Sequence, residues 1–176
     1  MPPSHLQIST VSLGMLILDD IHIPTRPQPL TNVLGGSAAF VTLGERLFLD
    51  PTSVGCLVIA GHDFPAEIRT EIESWGTSTV VRQRDQPSSR GRLVYEDEGF
   101  GDIANAHRPA KSFTYTHPPL KAAPSDLRNT PLLHAKVFHL FGPPEEILIL
   151  VPELLHLRHE AGWVAGGGEG RWEGVL

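Results

Sequence analysis

Apolar positions fall into blocks whose period changes along the chain. Residues 8–20, ISTVSLGMLILDD, form an almost unbroken aliphatic and β-branched run closed by two carboxylates, which predicts one buried strand. The proline-rich IHIPTRPQPLTN that follows predicts an extended excursion with at most an edge strand, because proline cannot donate to a central ladder. Over 36–48 the period becomes helical, with Ala39, Phe40, Leu43 and Leu47 as the apolar stripe. SVGCLVIAG (53–61) predicts a second buried strand. HDFPAEIRTEIESWG predicts a helix capped by Asp63, with Pro65 in its first turn, Ile68, Ile72 and Trp75 as its stripe and Gly76 as its stop. TSTVVRQ reads as a third strand.

The resulting β–(excursion)–α–β–α–β order predicts an α/β fold, a parallel sheet with helices packed on it and right-handed crossovers. SSRGRLVYEDEGFG (88–101) breaks the rhythm with a short strand over RLVYE. Residues 102–130 are weakly patterned and carry prolines at 109, 118, 119 and 124. HAKVFHLFG (134–142) predicts another strand. PPEEILILVPELLHLRHE (143–160) predicts a helix with Ile147, Leu150, Val151, Leu154 and Leu155 on one face, kinked or divided at Pro152. From 161 onward the sequence is rich in glycine and keeps no period, so a disordered tail over 161–176 is expected.

A length of 176 residues suffices for one domain with a real core. With a formal charge of −6 and no Lys/Arg run longer than two, a nucleic-acid surface is unsupported. The apolar run at 11–18 is too short to span a bilayer, and no signal peptide is read, so no membrane partner and a cytoplasmic location are expected. Cys56 is the single cysteine, and its apolar surroundings predict a buried, reduced thiol.

Two adjacent glycines, Gly35 and Gly36, stand at the entrance of the first predicted helix. They mark either a tight turn or a place where backbone lies against a ligand. Together with Gly14, then Asp19 at a strand end, then the excursion, they resemble the amino-terminal part of the ribokinase-like (PfkB) carbohydrate kinases. VSLGMLILDDIHIP, LGGSAAFVTLGERLF, EIESWGT and AKVFHLFGPPEE are most similar to a fungal, maintenance-of-killer-like branch, over about residues 10–160.

The resemblance implies a ribokinase-like three-layer sandwich, incomplete here, with a mostly parallel sheet, helices on both faces and a small β lid from about 20–34 and 88–101. It implies ATP-dependent phosphoryl transfer to a sugar or related alcohol, with Asp19, Gly35 and Gly36 as substrate-binding residues and ATP with Mg2+ as cofactors. A carboxylate accepts two hydroxyls, glycines let amides approach, and a helix start offers free N–H groups. Taken alone, Asp19 reads more simply as a cap on the turn after a strand.

Two departures qualify the resemblance. Phe40 stands where many sugar kinases carry a sugar-binding Asn. The catalytic Asp-Thr-x-Gly-Ala-Gly-Asp motif of the family does not occur in these 176 residues. The expectation is therefore a chain inactive on its own, with no catalytic residue assigned, poor ATP binding and possible self-association through an uncovered sheet edge. The alternative is a non-catalytic binding or interaction protein, or a truncated gene product.

Other constellations read blandly. GFGD (99–102) follows a charged turn, and Asp102 is not read as a catalytic base. No Walker motif or nucleophile elbow is present. Glu153, His156 and His159 share a helix face but read as a solvated surface, not a metal site. Arg90 and Arg92 read as edge-strand charges more readily than as anion ligands.

Overall fold

The computed structural model describes residues 7–96 and 111–162. Its first sheet is built from β1 (Thr10–Ser12), β4 (Val54–Ala60), β5 (Ser78–Gln83) and β8 (Val137–His139) in the order β5-β4-β1-β8, every neighbour parallel. Its second sheet, in the order β3-β2-β6-β7, contains β2 (Ile17–His22), β3 (Leu30–Gly35), β6 (Arg90–Tyr95) and β7 (Lys111–Tyr115). There β2 and β6 run parallel, while both outer strands are antiparallel to their neighbours. Three helices complete the fold: α1 (Ser37–Glu45), α2 (Ala66–Ser74) and α3 (Pro144–Glu160).

All seven residues of β4 are buried, and their alternation assigns the layers. Leu57 and Ile59 join one apolar cluster with Val11, Leu127, Leu132, and with Leu154 and Leu157 of α3. Cys56, Val58 and Ala60 join the other, with Ala38 and Ala39 of α1 and Ile68, Ile72 and Trp75 near and within α2. The parallel sheet is thus covered on both faces, which is why its central strand reads as a continuous apolar run.

Several expectations are corrected. The apolar block at 8–20 is two strands in two sheets: it leaves the first after Ser12 and enters the second at Ile17. On α1 the buried residues are Ala38, Ala39 and Thr42, while Phe40 is 68% exposed, and Leu47, in the turn beyond the helix, is 78% exposed. Small side chains let the helix lie close to the sheet, and the bulky ones face away. Asp63 does not cap α2; the N-cap is Pro65, and the Asp63 carboxylate turns to Ser88 and Arg90. Helix α3 runs unbroken through Pro152, with Leu154, Leu157 and Arg158 buried and Val151 and Leu155 exposed. The carbonyl that Pro152 leaves without a donor belongs to Leu148, and both residues lie on the exposed side, where water can take its place. β7 occupies the weakly patterned stretch. The stretch 97–110, with Asp102, and the tail from 163 lie outside the described residues.

Candidate functional site

The segment Leu13–Leu16 carries the chain from the carboxyl end of β1 to the second sheet, and α1 begins against it. The Ala38 amide donates to the Met15 carbonyl at 3.0 Å, and the Met15 amide donates to Ser37 Oγ at 3.2 Å. Gly36 makes this junction possible. Its φ is +90°, and a Cβ there would strike the Met15 carbonyl oxygen, so only glycine fits both demands. Gly35 pairs with Ile17 as β3 ends. A Cβ on Gly35 would lie 2.7 Å from Asp19 Oδ2, so the Asp19 carboxylate already fills the space that a side chain would take.

Asp19 is therefore brought to the paired glycines. It stands opposite Val33 on one side and Gly91 on the other. Between Asp19↔Val33 and Ile21↔Leu30 the ladder slips, β3 spending one more residue than β2. Asn32, at φ 55°, takes up the excess there. Asp19 Oδ1 is buried without a hydrogen-bond partner. Burial first, and the neighbouring Asp20 carboxylate second, push the Asp19 carboxyl above its ordinary pKa. A buried acceptor of this kind is satisfied by a donor such as a ligand hydroxyl.

Gly91 and the aromatic pair on β7 complete the arrangement, and the sequence reading did not single them out. A Cβ on Gly91 would strike both the Phe113 ring and Asp19 Oδ1, so the ring lies over the strand and screens the carboxylate. Phe113 and Tyr115 meet edge to face at 4.9 Å. An isolated glycine inside RGRLVY was a usable signal, since a strand glycine marks close approach. So was the alternation of Phe113 and Tyr115 with polar residues in KSFTYT.

The second sheet is tied to the first by a polar network. Asp63, in the loop after β4, accepts from the Ser88 amide at 2.6 Å and from Arg90 Nε at 3.1 Å. Arg90 Nη1 donates to Asn32 Oδ1 at 2.7 Å, which extends the tie to β3. Burial alone would raise the Asp63 carboxyl, but hydrogen bonds from Ser88 and then the Arg90 guanidinium outweigh it and hold it at about 2. β6 is an interior strand, so Arg90 is a paired strut and not an edge charge, whereas Arg92 is exposed.

A cavity of about 450 Å3 opens beside the junction, at the carboxyl ends of β1 and β8, where open α/β sheets hold ligands. A second, of about 440 Å3, lies between Arg128–His134 and the end of α3, at the opposite end of the strands and away from Asp19. Arg128 and His156 both pair there with Glu160. Among the described residues no group of three or more His, Cys, Asp or Glu side chains is placed to hold a metal ion. No described helix is long and apolar enough to cross a membrane.

No protein-family model matches the sequence. Protein MAK32 of Saccharomyces cerevisiae is 31% identical over 165 residues, covering 86% of this chain and 42% of the relative. The uncharacterized protein C16C9.01c of Schizosaccharomyces pombe is 28% identical over 151 residues, covering 84% of this chain and 39% of that one. The chain thus spans about two fifths of the length of these curated relatives.

Among solved structures, ribokinase from Giardia lamblia matches with a TM-score of 0.60 at 12% identity, over 96% of this chain and 53% of its own. Fructokinase from Xylella fastidiosa with bound ATP matches with a TM-score of 0.59 at 16% identity, over 87% and 49%. Adenosine kinase from Schistosoma mansoni in complex with adenosine matches with a TM-score of 0.57 at 12% identity, over 85% and 52%. In fold the chain is the amino-terminal portion of the ribokinase-like (PfkB) architecture, and in sequence it is a relative of the fungal protein MAK32.

Proposed function

We propose that this chain supplies the acceptor-binding half of a PfkB-type phosphotransferase acting on a sugar or related alcohol. Asp19 accepts from the hydroxyls, Gly35 and Gly36 let backbone approach them, and the second sheet acts as the lid. The observation that carries this reading is the Asp19 carboxylate, wedged between Gly35 and Gly91 with its Oδ1 buried and unpartnered. Phe113 screens that oxygen, so a hydroxyl reaches it as the ring swings aside. The general base, the phosphate-binding amides and the sites for ATP and Mg2+ belong to a second half, in a longer product or a partner chain, and the 176 residues alone turn over no substrate.

Thermal-shift screening of sugars, nucleosides and ATP tests the assignment. Stabilisation by a sugar or nucleoside without ATP, abolished in Asp19→Asn, is the expected result. A screen in which no hydroxylated ligand stabilises the wild type, or in which Asp19→Asn responds equally, refutes it. Phosphorylation of a sugar by the purified chain would defeat the claim of inactivity. A second reading, a non-catalytic binding protein, is favoured by Phe40, which replaces a polar contact and is 68% exposed.

A further inference from the structure

Asp19 lies outside the lining of the larger cavity, but strand register sets it on the same face of the second sheet as Tyr115. Gly91 stands between Asp19 and Tyr115 across three neighbouring strands. Tyr115 also lines the cavity of about 450 Å3, within the range of about 300–1,000 Å3 usual for small-molecule sites. Leu13, Met15, Phe141, Ile149 and Leu150 form much of the remaining wall. Its charged groups, Lys121 and Glu146, pair with each other. Apart from the Tyr115 hydroxyl, the Lys121–Glu146 pair and a few backbone groups, the cavity offers aliphatic and aromatic surface.

A polyol filling this cavity would surrender water from hydroxyls that meet few partners. A flat ring surrenders only apolar hydration and gains contact with the Tyr115 and Phe141 rings. We propose that the acceptor is an alcohol bearing an aromatic or heteroaromatic group, the ring lying in this cavity and its hydroxyls reaching Asp19. The inference rests on the reading of Asp19, Gly35 and Gly36 as the acceptor site.

Calorimetric titration of the 176-residue protein with matched pairs separates the two claims. The pairs are phenyl against methyl β-D-glucopyranoside, and adenosine against methyl β-D-ribofuranoside. In at least one pair the ring-bearing member should bind about 10-fold more tightly or better. Tyr115→Ala and Phe141→Ala should bring that ratio towards one. Both side chains are partly exposed, at 39% and 58%, so truncation leaves the core intact, which circular dichroism melting checks. Equal affinity within both pairs, lost throughout in Asp19→Asn, overturns the aromatic preference and leaves the acceptor site standing. Binding untouched by Asp19→Asn, or no binding by any of the four, overturns the acceptor-site reading and this inference with it.

Discussion

Replacing Asp63 by Asn removes a charge from the tie between the two sheets while keeping its shape. The carboxyl is held at about 2 against an ordinary 3.8, so nearly two pH units separate folded from unfolded chain. At 1.36 kcal/mol per unit the ceiling is about 2.5 kcal/mol. The Asp63 side chain is 30% exposed and that of Arg90 22%, so water screens part of this, and we expect ~1–2 kcal/mol lost in Asp63→Asn at pH 7.

The sign follows from the depressed pKa. The stabilisation is fully present above the unfolded value, near 3.8, and is lost as pH falls through the folded value, near 2. Urea unfolding of wild type and Asp63→Asn between pH 7 and pH 2 measures it. The gap between the two proteins should hold constant down to about pH 4.5 and close below that. A gap that ignores pH, or that closes above pH 5, would show that the Ser88–Asp63–Arg90 arrangement is not what lowers the carboxyl.

Other perturbations probe separate parts of the fold. Gly36→Ala forces a side chain into a left-handed backbone and against the Met15 carbonyl, and should cost ~1–3 kcal/mol in thermal unfolding; a neutral substitution would contradict the junction as described. Leu57→Ala, at a site 2% exposed, should cost ~2–5 kcal/mol by denaturant titration. Cys56, whose thiol burial pushes up to about 12, should resist a thiol reagent at pH 8 until the protein unfolds; rapid native labelling would contradict its burial. Sedimentation should reveal self-association, because Val137, Phe141, Leu148 and Ile149 leave the β8 and α3 side apolar and exposed; a monodisperse monomer at high concentration would count against it.

The layered core was legible because its signals are local. Seven consecutive buried residues in β4, the Ile68–Ile72–Trp75 stripe near α2 and the Gly76 stop at φ 69° announce themselves by composition and spacing. The missed features depend on partners distant in sequence. Leu13 and Leu16 are buried on either side of a change of sheet, so apolar character continues where the strand does not. The inward face of α1 is defined by what fits against β1 and β4, and that selects Ala38 and Ala39 over the larger Phe40. β7 has all five residues exposed, so it carries no burial pattern for a sequence to display. The approach of Asp19 to Gly35 was anticipated only through resemblance. Its enclosure by Gly91 and Phe113 required the pairing of β2 with β6, across about seventy residues of chain.

The four-residue passage from β1 to β2 has a mechanical consequence. Both ends of the β2–β3 hairpin are pinned to the core, one through Met15 to the first turn of α1, the other by running straight into that helix. The hairpin bearing Asp19 is therefore fastened to the parallel sheet at both of its ends. The carboxylate that a ligand would meet thus keeps its place relative to the parallel sheet, while Phe113 and Tyr115 belong to the strand at the far margin of the cover.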